Sequence, residues 1–165
     1  MIKLIIIFVV ITIVIIFLEV WGNRNEEELP KYQYKKKDFF MSKPEHELYK
    51  VLINAVGEKY YVFPQVHLPS IIDNKVVGQN WKSAFKHINQ KSVDFVLCDK
   101  DYISPKLAIE LDDRTHNRQD RIERDIEVER ILKEAKIPLL RLENHGQFNV
   151  IELVSKIDTI LNLYK

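Results

Sequence analysis

Ser92-Val93-Asp94-Phe95-Val96-Leu97-Cys98-Asp99, a short polar turn, and then Pro105-Lys106-Leu107-Ala108-Ile109-Glu110-Leu111-Asp112-Asp113-Arg114-Thr115-His116 form the stretch on which the reading of this chain turns. Two strand-like apolar runs each carry carboxylates inside them: Asp94 in the first, Glu110 and Asp112 in the second. A carboxylate among apolar neighbours is costly unless it is paired, protonated or bound to a cation. A packed sheet has no structural need for three of them. Strand alternation puts Ala108, Glu110 and Asp112 on one face and Leu107, Ile109 and Leu111 on the other. A hairpin centred on Tyr102 sets Cys98 opposite Lys106 and Asp94 opposite Glu110, with opposed Cβ atoms about 4.5–5.5 Å apart. Carboxylates that close repel unless a cation lies between them. Oxygen donors that leave room for water suit Mg²⁺ or Mn²⁺, and a metal-bound water is a nucleophile for a phosphodiester. Asp94, Glu110 and Asp112 are therefore the candidate metal ligands and catalytic carboxylates. Taken singly, Asp112 also reads as a turn or N-cap residue and Asp94 as a partner for Lys91. The pairing of Asp94 with Glu110, both inside apolar runs, is what points to a site.

Outward from this hairpin, the pattern predicts a mixed α/β sandwich. Residues 42–56 read as a helix with Ser42 as N-cap, Pro44 in the first turn and Gly57 as the stop. Residues 60–66, 92–98, 106–112 and 138–142 read as strands. Residues 68–89 read as irregular, with a short helix at 81–88, while 117–136 and 148–163 read as helices. The domain order is α-β-β-β-α-β-α around a central sheet.

Residues 1–21 are almost wholly apolar, with Thr12 the one polar residue between Leu4 and Leu18, and Trp21 stands where an interfacial aromatic belongs. Spanning a bilayer takes roughly 20 apolar residues as a helix. No small-x-small cleavage site follows, so the segment reads as a retained anchor and not a signal peptide. Residues 22–38 are polar and contain Pro30, and read as a tether to a domain over 39–165. Lys3 lies on one side of the anchor, and Arg24, Lys31 and Lys35 to Lys37 on the other. That basic excess places the domain in the cytoplasm of a bacterial-type inner membrane, with residues 2–21 crossing once.

The 165 residues carry 25 basic and 24 acidic side chains, a net charge of +1, so any nucleic-acid contact must come from a local patch. Cys98 is the only cysteine, which excludes an intramolecular disulfide and argues against a cysteine-based zinc site.

Other residues stand near the acidic hairpin by pattern. Glu45 completes a capping box with Ser42, yet it shares a helix face with Leu48, Tyr49 and Leu52 and so points toward the sheet; both readings stand. Glu47 points elsewhere and reads as surface. Gln65 is a neutral hydrogen-bonder suited to holding a water or a phosphate. His116, four residues past Asp112, is a candidate general acid or base. Arg118, Arg121 and Arg124 are candidate contacts to a DNA backbone, although the interleaved acids also allow pairing along a solvated helix face, which is the plainer reading.

Several of these strings occur together and in order: S-K-P-E-H-E-L-Y from Ser42, F-P-Q-V from Phe63, V-D-F-V-L-C-D from Val93, A-I-E-L-D-D-R-T-H from Ala108, R-D, and I-P-L-L-R-L from Ile137. Over about residues 39–142 the chain resembles the domain-of-unknown-function family 2726. More broadly, it resembles the PD-(D/E)XK nuclease superfamily and its very-short-patch-repair-like endonucleases. The resemblance implies a restriction-endonuclease-like αβββαβ fold, with Asp94 and Glu110 as metal ligands and Glu45, Gln65 and His116 at further motif positions. Asp112 stands where the superfamily often has lysine. A third metal ligand is its alternative role, with His116 or an arginine then supplying the positive charge. The expected activity is a membrane-anchored, Mg²⁺- or Mn²⁺-dependent endonuclease or exonuclease whose partner is nucleic acid, DNA foremost. The alternative is a catalytically inactive nuclease-fold module that binds DNA or a protein at the membrane.

Overall fold

The computed structural model describes residues 1–22, 32–112 and 119–164, with the backbone alone over 119–122. The chain forms two compact units, Met1–Asp38 and Phe39–Lys165. The first contains helix α1 (Ile2–Gly22). Nearly every side chain of α1 is exposed, as in a helix without a protein partner. Thr12, the polar exception, satisfies its hydroxyl on the helix itself by donating to the Val9 carbonyl at 2.8 Å. By length and composition Ile2–Trp21 is a candidate membrane span.

The second unit runs α2 (Lys43–Val56), β1 (Tyr61–His67), a 3-10 turn (Leu68–Ser70), α3 (Trp81–Ile88), β2 (Ser92–Cys98), β3 (Pro105–Asp112), α4 (Gln119–Glu134), β4 (Leu139–Glu143) and α5 (Val150–Leu163). The predicted mixed α/β architecture is observed, and the 3-10 turn adds order to a stretch expected to be irregular. The sheet order is β1-β2-β3-β4. β1, β2 and β3 are antiparallel neighbours, and β4 runs parallel to β3. α4 is therefore the crossover that a parallel pair requires.

Side-chain alternation sorts the core into two layers. Phe95, Leu97, Leu107, Ile109, Leu140 and Leu142 meet Leu48, Leu52 and Val56 of α2 and Leu153 and Ile157 of α5. On the opposite face, Val96, Cys98 and Ala108 meet Ile88 of α3 and Val128, Ile131 and Leu132 of α4. Cys98 is buried there and acts as a small apolar group.

The hairpin has the expected register over Phe95↔Ile109, Val96↔Ala108 and Leu97↔Leu107. One expected pair is corrected: Cys98 faces Pro105 and not Lys106, because the register shifts between Leu97 and Cys98. The turn explains the slip. Asp99 Oδ1 accepts from the backbone N–H groups of Tyr102 (3.0 Å) and Ser104 (3.2 Å). Ile103 takes a left-handed φ of +58° to close the loop. Lys106 then reaches back to Asp99 at 2.9 Å.

Phe95 is fully buried at the centre of the first layer and stacks on Tyr49 with centroids 6.3 Å apart. Phe95→Ala is expected to cost roughly 3–5 kcal/mol and to lower the thermal midpoint by on the order of 10 °C, read by circular dichroism.

Candidate functional site

The strand phase that buries Leu107 and Ile109 in one layer turns Ala108, Glu110 and Asp112 to the other, as the alternation requires. α4 covers Ala108 but leaves the far end of that face open to charged groups. Backbone pairing between β2 and β3 runs from Cys98↔Pro105 to Phe95↔Ile109, one pair short of Asp94 and Glu110. Asp94 continues the ladder with its side chain: Oδ2 accepts from the Leu111 N–H at 2.8 Å. Burial raises the Asp94 pKa, the Leu111 N–H opposes that rise, and the negative charges of Glu45 and Asp112 add to it.

Parallel pairing of β3 with β4 sets Glu110 beside Arg141 and Asp112 beside Glu143. Arg141 Nη2 lies 3.2 Å from Glu110 Oε2, and Arg141 Nη1 lies 3.2 Å from Asp112 Oδ1. Arg141 also donates to the Asp125 backbone carbonyl at 3.4 Å, and its Nη1 lies 3.9 Å from the Asp125 carboxylate. One guanidinium thus gathers carboxylates from β3 and α4, a task for which a planar, multi-donor cation is suited. Glu110 nevertheless has its pKa pushed up to about 7. Burial is the main cause; Arg141 opposes it, while Asp94, Asp125 and Asp112 add repulsion. Arg124 lies near enough to Asp94 to favour its ionised form.

Glu45 and Gln65 form the other edge of the site. Glu45 both caps α2 and reaches the sheet. Its Oε2 accepts from the Ser42 N–H at 3.0 Å, completing the capping box, and from Gln65 Nε2 at 3.0 Å. Gln65 has a left-handed φ of +53° inside β1, a strained conformation for this residue. Glu47, expected at the surface, pairs there with Lys50.

The structure therefore brings together Glu45, Gln65, Asp94, Glu110 and Asp112, and adds Arg141 and Asp125. Among the described residues no group of three His, Cys, Asp or Glu side chains is placed to hold a metal ion. The expected trio of Asp94, Glu110 and Asp112 shares a face but not a focus, since Arg141 draws Glu110 and Asp112 and the Leu111 N–H draws Asp94. His116 and Arg118 lie outside the described residues, as does the Arg121 side chain. Arg141 carried a signal that was passed over: a cation inside the apolar run Leu139-Leu140-Arg141-Leu142 poses the same burial problem as the acids of β2 and β3.

Residues 37–160 match the family described as Protein of unknown function (DUF2726). The chain belongs to that family. No curated protein and no solved structure matches the chain. The DUF2726 match takes in every site residue named above, so the acidic face lies within the family region.

The folded-state pKa of Glu110 lies above its ordinary 4.5. Its protonated form therefore favours folding. That contribution is complete below pH 4.5 and is lost as the pH rises through about 7. Ionised Glu110 thus destabilises the fold by up to about 3 kcal/mol. Glu110→Gln is expected to raise the thermal midpoint of the full chain in detergent at pH 8 and to leave it near wild type at pH 4.5. Equal shifts at both pH values would count against a strained carboxylate.

Proposed function

We propose that the DUF2726 unit is a divalent-cation-dependent hydrolase of nucleic-acid phosphodiesters, DNA foremost, held at a membrane by α1. One observation carries this reading. Glu45 and Asp112 act on Asp94, and Asp94, Asp112 and Asp125 act on Glu110, with Arg124 and Arg141 opposing them, so that carboxylates from α2, β2, β3 and α4 converge around Asp94 and Glu110. These are hard oxygen donors, partly desolvated at Asp94 and Glu110, which is the donor chemistry of Mg²⁺ or Mn²⁺. The β1-β2-β3 antiparallel order with β4 parallel to β3 supports the restriction-endonuclease-like reading of the sequence motifs.

Asp94 and Glu110 would hold the cation, which supplies Lewis-acid polarisation and a bound water of lowered pKa. The chain's own residues do the rest. Arg141 presents two donors at the position on β4 beside Glu110, where it can bind the phosphate oxygens and take the role of the lysine that Asp112 replaces. Gln65, aimed by its strained backbone, holds Glu45 in place and orients groups that approach Asp94.

The assay is cleavage of plasmid, branched DNA and single-stranded RNA by the full chain with Mn²⁺. Arg141→Ala is expected to lower cleavage by about 100-fold or more, the scale of losing one transition-state donor, and Arg141→Lys is expected to restore part of it. Wild type that cuts no better than Glu110→Ala on every substrate overturns the hydrolase reading.

A second reading has its own observation. Arg141 already pairs with both Glu110 and Asp112, which suits a non-catalytic nuclease-fold module that binds DNA or a protein at the membrane. DNA binding that survives both Asp94→Ala and chelation, without cleavage, selects it.

The basic excess that follows α1 supports a cytoplasmic domain at a bacterial-type inner membrane. A C-terminal fluorescent-protein fusion is expected to fluoresce, and an alkaline phosphatase fusion at the same point is expected to be inactive.

A further inference from the structure

The segment from Asp73 to Ile88 contributes no residue to the acidic face and is absorbed by none of the chemistry above. Its tip is a turn in which the Gln79 N–H reaches the Val76 carbonyl and Gly78 takes a φ of +88°, a conformation that glycine adopts without strain. This turn lifts Val77 to full exposure, with Val76 beside it at 61 %. One turn apart on α3, Trp81 and Phe85 are also exposed large apolar side chains. Lys82 and Lys86 repeat the same spacing next to them, and Lys75 flanks the tip. None of the three lysines makes an ion pair among the described residues; Lys82 lies over the Trp81 ring at 5.6 Å.

The surface is built, not loose. Asn74 Nδ2 donates to the Trp81 carbonyl at 2.9 Å, and Gln79 Nε2 donates to the Asn74 carbonyl at 2.8 Å. The Asn80 side chain caps α3 by accepting from the Lys82 and Ser83 N–H groups. Ile88, one turn beyond Phe85 on the same side of α3, carries that apolar stripe into the second core layer, and His87 and Lys91 both bind Glu127 of α4. A hydrogen-bonded frame thus presents two aliphatic side chains, two aromatic side chains and three lysines that make no ion pair among the described residues.

We infer that the Val76–Val77 tip and the Trp81–Phe85 face of α3 form an interfacial membrane-docking surface for anionic lipid. Tryptophan and phenylalanine on one side of a helix, with lysines beside them, match the layered polarity of a headgroup boundary. Lysines attract anionic headgroups while the apolar tip enters the acyl boundary. Nucleic acid is a poorer occupant, because base stacking draws on aromatic rings and gains nothing from valines at the most exposed point. A second copy of this face is poorer still, because it would set like-charged lysines against one another. The candidate span in α1 supplies the partner, since a chain held by that helix meets lipid at high effective concentration.

Trp21 and Trp81 are the only tryptophans, so Trp21→Phe makes Trp81 a lone reporter. The full chain in this background is placed in nanodiscs of phosphatidylcholine, with or without phosphatidylglycerol, that carry acyl-brominated lipid. Docking predicts a blue-shifted Trp81 emission, quenched at least about twofold more in the anionic discs. Val77→Asp, at a fully exposed position where folding is not at stake, is expected to abolish that quenching. Lys75→Glu combined with Lys82→Glu and Lys86→Glu is expected to do the same. Trp81 that stays equally open to acrylamide in both kinds of disc overturns the proposal. So does shielding that appears only with added single-stranded DNA, or only as protein concentration rises. None of these outcomes depends on cleavage activity, so the hydrolase reading can fail separately.

Discussion

The contact on which the candidate site depends is the Arg141 guanidinium set against Glu110 and Asp112 on one face of the sheet. Two carboxylates two residues apart on a strand point the same way, and here that way is the face whose near end, at Ala108, packs against α4. Without a cation beside them, their mutual repulsion would add to the cost of desolvation. β4 supplies that cation because it pairs in parallel with β3 at the register that puts Arg141 next to Glu110. The compensation is incomplete, chiefly because Glu110 is buried, with the charges of Asp94, Asp125 and Asp112 adding to that cost. A carboxylate whose pKa is raised this far is the kind of group that also occurs at binding and catalytic centres.

At the opposite edge, one carboxylate serves two ends. Glu45 closes the N-terminus of α2 and also holds Gln65 on β1. The helix start is thereby tied to a strained residue in the sheet. A left-handed glutamine in a strand persists only where its surroundings over-determine it, and such residues gather at functional sites. The cap and the contact to Gln65 are therefore two consequences of one geometry, because a carboxylate oxygen accepts more than one hydrogen bond.

Much of this was legible from local pattern. Period-two alternation assigned Glu110 and Asp112 to one face, and the short connection between the two acidic strands made a hairpin the natural pairing. The register followed over three residue pairs and failed at Cys98, where Asp99 captures two backbone N–H groups of the turn and shifts the strand by one. Such side-chain capture competes with the ladder on equal terms and leaves no mark in hydrophobic periodicity. The metal trio drawn from that alternation was likewise too simple. Sharing a face does not make three side chains converge, and nothing on β2 or β3 announces that a guanidinium from another strand stands between them.

The sequence by itself determined the mixed α/β class, the faces of the strands, the capped start of α2 and the apolar length of α1, because each rests on residues a few positions apart. Tertiary structure alone decided which strand lies beside β3. Arg141 is 31 positions from Glu110 along the chain, and only the α4 crossover and parallel pairing make them neighbours. The charge balance of the acidic face is a property of that neighbourhood: Coulomb energy depends on separation in space and on burial, and neither is written in the order of residues.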